Sequence, residues 1–128
     1  MKDIPLILVG HGSILPYNKE MMEGIKRMVE RRGEFSVVEI SFLQKNSPTL
    51  EKVLMDFVSK GVEEAIVLPV FLAKGVHTLE DIPEILKKYS EKIKLYYGDP
   101  MGADERIVDV LIEKAKEALE CLVEAKSL

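Results

Sequence analysis

The chain is poor in the side chains that usually announce chemistry: of its 128 residues, one is cysteine and two are histidine. A lone cysteine cannot close an internal disulfide. Cys121 falls on the apolar side of a helical pattern, which predicts a buried core residue in a reducing compartment. Basic charge is not in excess, since 18 Lys and Arg stand against 22 Asp and Glu for a net charge of −4. A nucleic-acid-binding domain shows a basic face, so nucleic acid is excluded as a partner. No apolar stretch approaches the roughly 18 residues that suggest a membrane span, which excludes a membrane helix. No leader pattern precedes the first apolar run, which starts directly after Met1-Lys2-Asp3. Linkers, low-complexity segments and internal repeats are also lacking. With 47% apolar and 31% charged residues, the expectation is one globular, cytoplasmic domain over residues 1–128.

What is present alternates. Strand-like apolar runs lie at about 4–9, 36–43, 64–72 and 93–97. Between them apolar residues recur at helical spacing: Met21, Ile25, Met28 and Val29, then Leu50, Val53, Leu54, Phe57 and Val58. The longest stripe is the last: Ile107, Val108, Leu111, Ile112, Ala115, Leu119, Leu122 and Val123. Ser47-Pro48 reads as an N-cap followed by proline at the first helical position. Asp81 with Glu84 reads as an acidic capping box, and Gly33 and Gly61 as helix stops. Asp104 and Glu105 suit a helix first turn through the dipole.

Four β-α repeats demand right-handed crossovers and a parallel sheet with helices on both faces. The fold class is therefore α/β, a flavodoxin-like three-layer sandwich with four strands in the order 2-1-3-4. Pro69 conflicts with a central strand, because it cannot donate to the ladder, and predicts a local irregularity there.

That order makes strands one and three neighbours, and each is followed by a histidine. His11 lies in Gly10-His11-Gly12-Ser13, and His77 in Ala73-Lys74-Gly75-Val76-His77-Thr78. The crevice outside the carboxyl ends of strands is where open α/β sheets bind ligands. Imidazole is both the commonest metal ligand and the side chain that exchanges protons near neutral pH. Two imidazoles without thiolates form an open, incomplete ligand set suited to Co²⁺, Ni²⁺, Fe²⁺ or Zn²⁺. Glycines flanking His11 allow positive φ and close approach of backbone to a ligand.

Gly10-x-Gly12 could instead cradle phosphate, although the GK[ST] ending of nucleotide loops is missing. Ser13 lacks the Gly-x-Ser-x-Gly elbow of a nucleophile, and reads as a cap or hydroxyl contact. Lys45 and Lys74 each follow a strand end and would suit an anionic substrate. Glu39 could face the crevice or solvent. A binding or regulatory module without chemistry and a phosphate-handling hydrolase both remain open at this level.

Gly10-His11-Gly12-Ser13, the stretch from Pro69 to Thr78 and Gly102-Ala103-Asp104-Glu105-Arg106-Ile107 together resemble the class II metal chelatases of tetrapyrrole synthesis. The length resembles their short, single-lobe archaeal form, the sirohydrochlorin cobaltochelatases and nickelochelatases. The resemblance implies ATP-independent insertion of Co²⁺ or Ni²⁺ into sirohydrochlorin, an anionic tetrapyrrole, with release of two protons. The metal is then a substrate, and no cofactor is permanently bound. It further implies His11 as proton acceptor and metal ligand, His77 as second ligand, and Leu72, Ala73, Lys74, Gly75, Val76 and His77 as the loop touching the macrocycle. Gly10, Gly12, Ser13 and Lys45 would support the site. Position 47, often Glu in relatives and in contact with substrate, is Ser47 here, and position 44, often Glu, is Gln44. One lobe is small beside a tetrapyrrole, which implies a homodimer.

Overall fold

A computed structural model describes residues 3–124. In chain order the elements are β1 (Leu6–Gly10), α1 (Tyr17–Arg32), β2 (Val38–Phe42), α2 (Leu50–Ser59), β3 (Glu64–Pro69), a wide helical turn (His77–Asp81) running into α3 (Ile82–Tyr89), β4 (Lys94–Tyr97) and α4 (Glu105–Ala118). The strands form one parallel sheet in the order β2-β1-β3-β4, as expected from the sequence. Leu6 pairs with Val38 on one side and Ile66 on the other, and Glu64 pairs with Lys94. β1 is thus central and β3 lies beside it, so the loops that follow these two strands leave the sheet together.

The third run is shorter than its apolar stretch because Pro69 ends it. Val70 N–H donates to Val9 O across to β1. Backbone groups alternate sides along a strand, so Pro69 turns its missing donor toward β4, whose pairing stops at Tyr97. The proline costs no ladder bond at that position.

Two apolar layers sandwich the sheet. On one face Ile7, Val9, Ala65 and Val67 pack under Leu50, Val53, Leu54 and Phe57 of α2 and Ile82 and Leu86 of α3. On the other, Leu6, Leu8, Val38, Ile40 and Phe42 pack under α1, with Met22 fully buried. Ser41, also buried, donates to Leu8 O, so its hydroxyl is not stranded in the core. Gly33 ends α1 with φ 73°, the left-handed stop expected of it, and Gly61 follows α2 with φ 76°.

Three sequence expectations are corrected. Ser47 does not cap α2: the Ser47–Pro48 bond is cis, and the cap is Thr49, whose hydroxyl accepts Lys52 N–H at 3.2 Å. Asp81 is no cap either, because helical backbone already begins at His77 and its carboxylate receives no backbone N–H. Finally, the apolar stripe of α4 does not face the core. No residue of α4 is buried, and Cys121, just beyond it, is exposed. The stripe pattern reports an amphipathic helix but not which surface covers it.

Candidate functional site

The carboxyl ends of β1 and β3 deliver both histidines to one place. The ring centroids of His11 and His77 lie 4.4 Å apart with planes at 69°. Phe71, which leaves β3 between them, sets its ring 5.8 Å from His11 and 6.4 Å from His77. The two imidazoles are close enough to share one ion, whose bonds to imidazole nitrogen are about 2.0–2.1 Å. Among the described residues no group of three or more His, Cys, Asp or Glu could hold a metal.

His77 is held by Asp81, with Nδ1 2.6 Å from Asp81 Oδ2 across one helical turn. A carboxylate only accepts, so Nδ1 carries the proton and the Nε2 lone pair is left for an ion. Metal-ligating histidines are commonly oriented this way. The wide turn carrying both residues is pinned from three directions. Thr78 Oγ1 accepts Gly75 N–H at 2.8 Å, Leu79 N–H donates to Gly75 O at 2.9 Å, and the Tyr97 hydroxyl donates to Thr78 O at 2.9 Å. Burial, and secondarily the charge of Asp99, push the Tyr97 phenol above its ordinary range, which keeps it a donor.

The turn carrying His11 is laced to the first turn of α1 and to the β2–α2 loop. Gly12 N–H donates to Asn18 Oδ1 at 3.0 Å, Ser13 N–H to Asn46 Oδ1 at 2.9 Å, and Leu43 N–H to Gly10 O at 3.1 Å. Gly12 needs its glycine, since φ is +89° and a Cβ there would sit 1.8 Å from Gln44 O. The close backbone approach read from the sequence is thus real, but the neighbour is the protein's own loop. Gly10 is glycine for another reason: a Cβ would press on the Met22 side chain at 3.0 Å. Ser13 Oγ accepts Leu15 N–H at 3.1 Å, a local turn contact.

Leu72, Ala73, Lys74, Gly75 and Val76 form an exposed loop between Phe71 and His77. Its start is fixed by Met101 N–H to Phe71 O at 2.9 Å and Gly102 N–H to Leu72 O at 2.7 Å, which gives the Gly102–Ile107 motif a physical task. Lys74 Nζ lies 3.9 Å from Asp99. Lys45 and Ser47 are exposed on the neighbouring loop, Lys45 with φ 65°. Glu39 turns away to Lys26 of α1, at 4.0 Å.

Several residues were missed from the sequence. Asn18 and Asn46 shape the His11 turn, yet nothing in their spacing signals it. Asp81 was legible only through its i,i+4 offset from His77. Apolar side chains also stand in solvent on the loops bearing the histidines: Ile14 (84% exposed), Leu15, Val76 and Leu79. Exposed apolar groups of this kind, where they form a contiguous patch, mark surfaces that bind partners or ligands.

The CbiX family model matches residues 5–118. A sirohydrochlorin cobaltochelatase of Methanopyrus kandleri is 35% identical over 139 residues, covering 91% of this chain and 97% of that protein. One from Methanococcoides burtonii is 38% identical over 127 residues, with 91% and 97% covered. Among solved structures, the sirohydrochlorin chelatase SirB of Bacillus subtilis subspecies spizizenii, in complex with cobalt, superposes with a TM-score of 0.80 at 29% identity. That match covers 91% of this chain and 51% of SirB, so the chain spans about half the SirB length.

Proposed function

The chain belongs to the CbiX family, and from that premise we propose how its two histidines serve metal insertion into sirohydrochlorin. The reaction places a divalent metal, cobalt, in the tetrapyrrole while two pyrrole N–H protons leave. The carrying observation is the histidine pair, 4.4 Å apart at the ends of neighbouring central strands, in a chain closely related to sirohydrochlorin cobaltochelatases.

His77, with Nδ1 tied to Asp81, holds the ion through Nε2. His11, in the rigid glycine-flanked turn, shares the ion first. As the ion passes to the ring nitrogens, the freed imidazole accepts one pyrrole proton and the other leaves to water; a neutral imidazole is a suitable base near pH 7. Leu72 to Val76, with Ile14 and Leu15, meet the macrocycle. Lys45, Lys74 and Ser47 meet its carboxylates, and Gly10, Gly12 and Ser13 set the His11 turn.

Imidazole suits several late divalent ions, Ni²⁺ among them, so Ni²⁺ serves as substrate as well as Co²⁺, with no resident cofactor. Residues 1–128 act as one chelatase domain in the cytoplasm. Two copies work together, since one lobe with two ligands leaves much of a tetrapyrrole uncovered. Among the described residues no helix is long and apolar enough to cross a membrane. The test is spectroscopic: sirohydrochlorin mixed with Co²⁺ or Ni²⁺ shifts its absorption far faster with the protein than without it. Equal rates would refute the reading.

A further inference from the structure

The turn that carries His77 also walls a second, smaller cavity. Thr78 and Leu79 of that turn and Pro83 of α3 line about 240 Å³ together with Tyr97 of β4, Asp99 just beyond it and Lys74. Pockets that take a whole drug-sized molecule run about 300–1,000 Å³, so this one suits a side chain of a larger ligand. Among its lining residues only Lys74 and Asp99 carry charge. Their head groups lie 3.9 Å apart, and the two side chains are 61% and 83% exposed. Exposed pairs of this kind hold weakly, and an ammonium on a flexible four-carbon stem can turn to another anion.

The fold around the cavity does not depend on Asp99. Among the described residues its one ion pair is with Lys74. The turn beside it is held by other bonds, from the Tyr97 hydroxyl to Thr78 O and from Gly75 N–H to Thr78 Oγ1. The charge of Asp99 is still felt within the cavity, where it adds to burial in raising the Tyr97 phenol. A carboxylate beside the one cation of a cavity neutralises that cation, and it repels an incoming anion.

We propose that Asp99 is a built-in competitor for Lys74, which a carboxylate side chain of the tetrapyrrole displaces on binding. This rests on the chelatase reading above and gives the cavity an occupant: one acidic arm of the ring, held while the ring lies against His11 and His77. Lys74 leaves Asp99 for that arm, and Leu79 and Pro83 cover its methylene carbons. Asp99 therefore lowers affinity for the ring. An uncharged arm cannot draw Lys74 away, so the pair also selects for the acid form of the substrate.

The test measures binding of metal-free sirohydrochlorin to the full chain by absorbance titration, for wild type, Asp99→Asn, Lys74→Gln and the double variant. Folding is checked by urea unfolding, which loss of a weak exposed pair should barely move. Asp99→Asn is expected to tighten binding roughly two- to fivefold at low salt, the scale of one exposed charge pair. Lys74→Gln should weaken binding, and the gain from Asp99→Asn should largely vanish in that background. The gain should also shrink at about 1 M salt, where the screening length is about 3 Å. A mere loop tether predicts the opposite sign, because removing Asp99 would loosen the loop and weaken binding. Unchanged or weaker binding in Asp99→Asn, or a full gain without Lys74, would overturn the competition and leave the chelatase reading standing. A wild type that does not bind sirohydrochlorin would overturn both.

Discussion

Replacing Asp81 by Ala removes the acceptor 2.6 Å from His77 Nδ1 while leaving both histidines in place. Partners of this kind typically contribute 10–100-fold to metal affinity, or about 1.4–2.8 kcal/mol. The pair here is partly open, with side-chain exposures of 38% and 44%, so water can replace some of the lost orientation. The expected loss in Co²⁺ affinity is therefore at the low end, about tenfold. Stability should move little, because partly exposed ion pairs contribute about 0–1 kcal/mol. A helix cap would behave differently, losing about 0.5–2 kcal/mol of stability with no effect on metal. Asp81→Asn keeps an oxygen acceptor and should fall between Ala and wild type. Calorimetric titration with Co²⁺ and urea unfolding of the three proteins separate these cases. Wild-type affinity in Asp81→Ala, or a loss of stability without a loss of affinity, would refute the orienting role.

Gly12→Ala forces a Cβ onto Gln44 O at a positive φ of 89°, and should destabilise the protein by at least about 1–3 kcal/mol, read as a lower urea midpoint. Thr49→Ala should cost about 1 kcal/mol through loss of the α2 cap, while Ser47→Ala should be nearly neutral in the same assay. Tyr97→Phe should cost about 1 kcal/mol or less by deleting the bond to Thr78 O. Because the folded Tyr97 phenol sits above its ordinary value of 10.0, its contribution is complete below that pH and is lost as pH rises through the higher folded value. Unfolding followed above pH 10 should show this slope in wild type and a shallower one in Tyr97→Phe.

Much of this was legible in the sequence because periodicity and punctuation agree. The apolar runs, the glycine stops at Gly33 and Gly61 and the alternation of elements suffice for the order β2-β1-β3-β4. That order is what brings His11 beside His77. Local polar geometry was not legible. Ser47-Pro48 carries the right residues for a helix start, yet Thr49 does the capping, and Asp81 serves a histidine instead of a backbone N–H. Which oxygen accepts which donor depends on a few ångströms that residue type does not encode. The α4 stripe misleads in another way. A periodic pattern reports one apolar face, but the covering surface can belong to a different molecule, so Cys121 was placed in a core that the helix does not join.

The most direct test of the central claim is cobalt insertion into sirohydrochlorin by His11→Ala and His77→Ala across a range of Co²⁺ concentration and pH. If His77 only captures the ion, His77→Ala should recover in part with excess metal and keep the wild-type pH profile. If His11 also takes the ring proton, His11→Ala should stay inactive at every metal concentration. Full rescue of His11→Ala by saturating Co²⁺ would contradict the account, because the proton would then leave by another route.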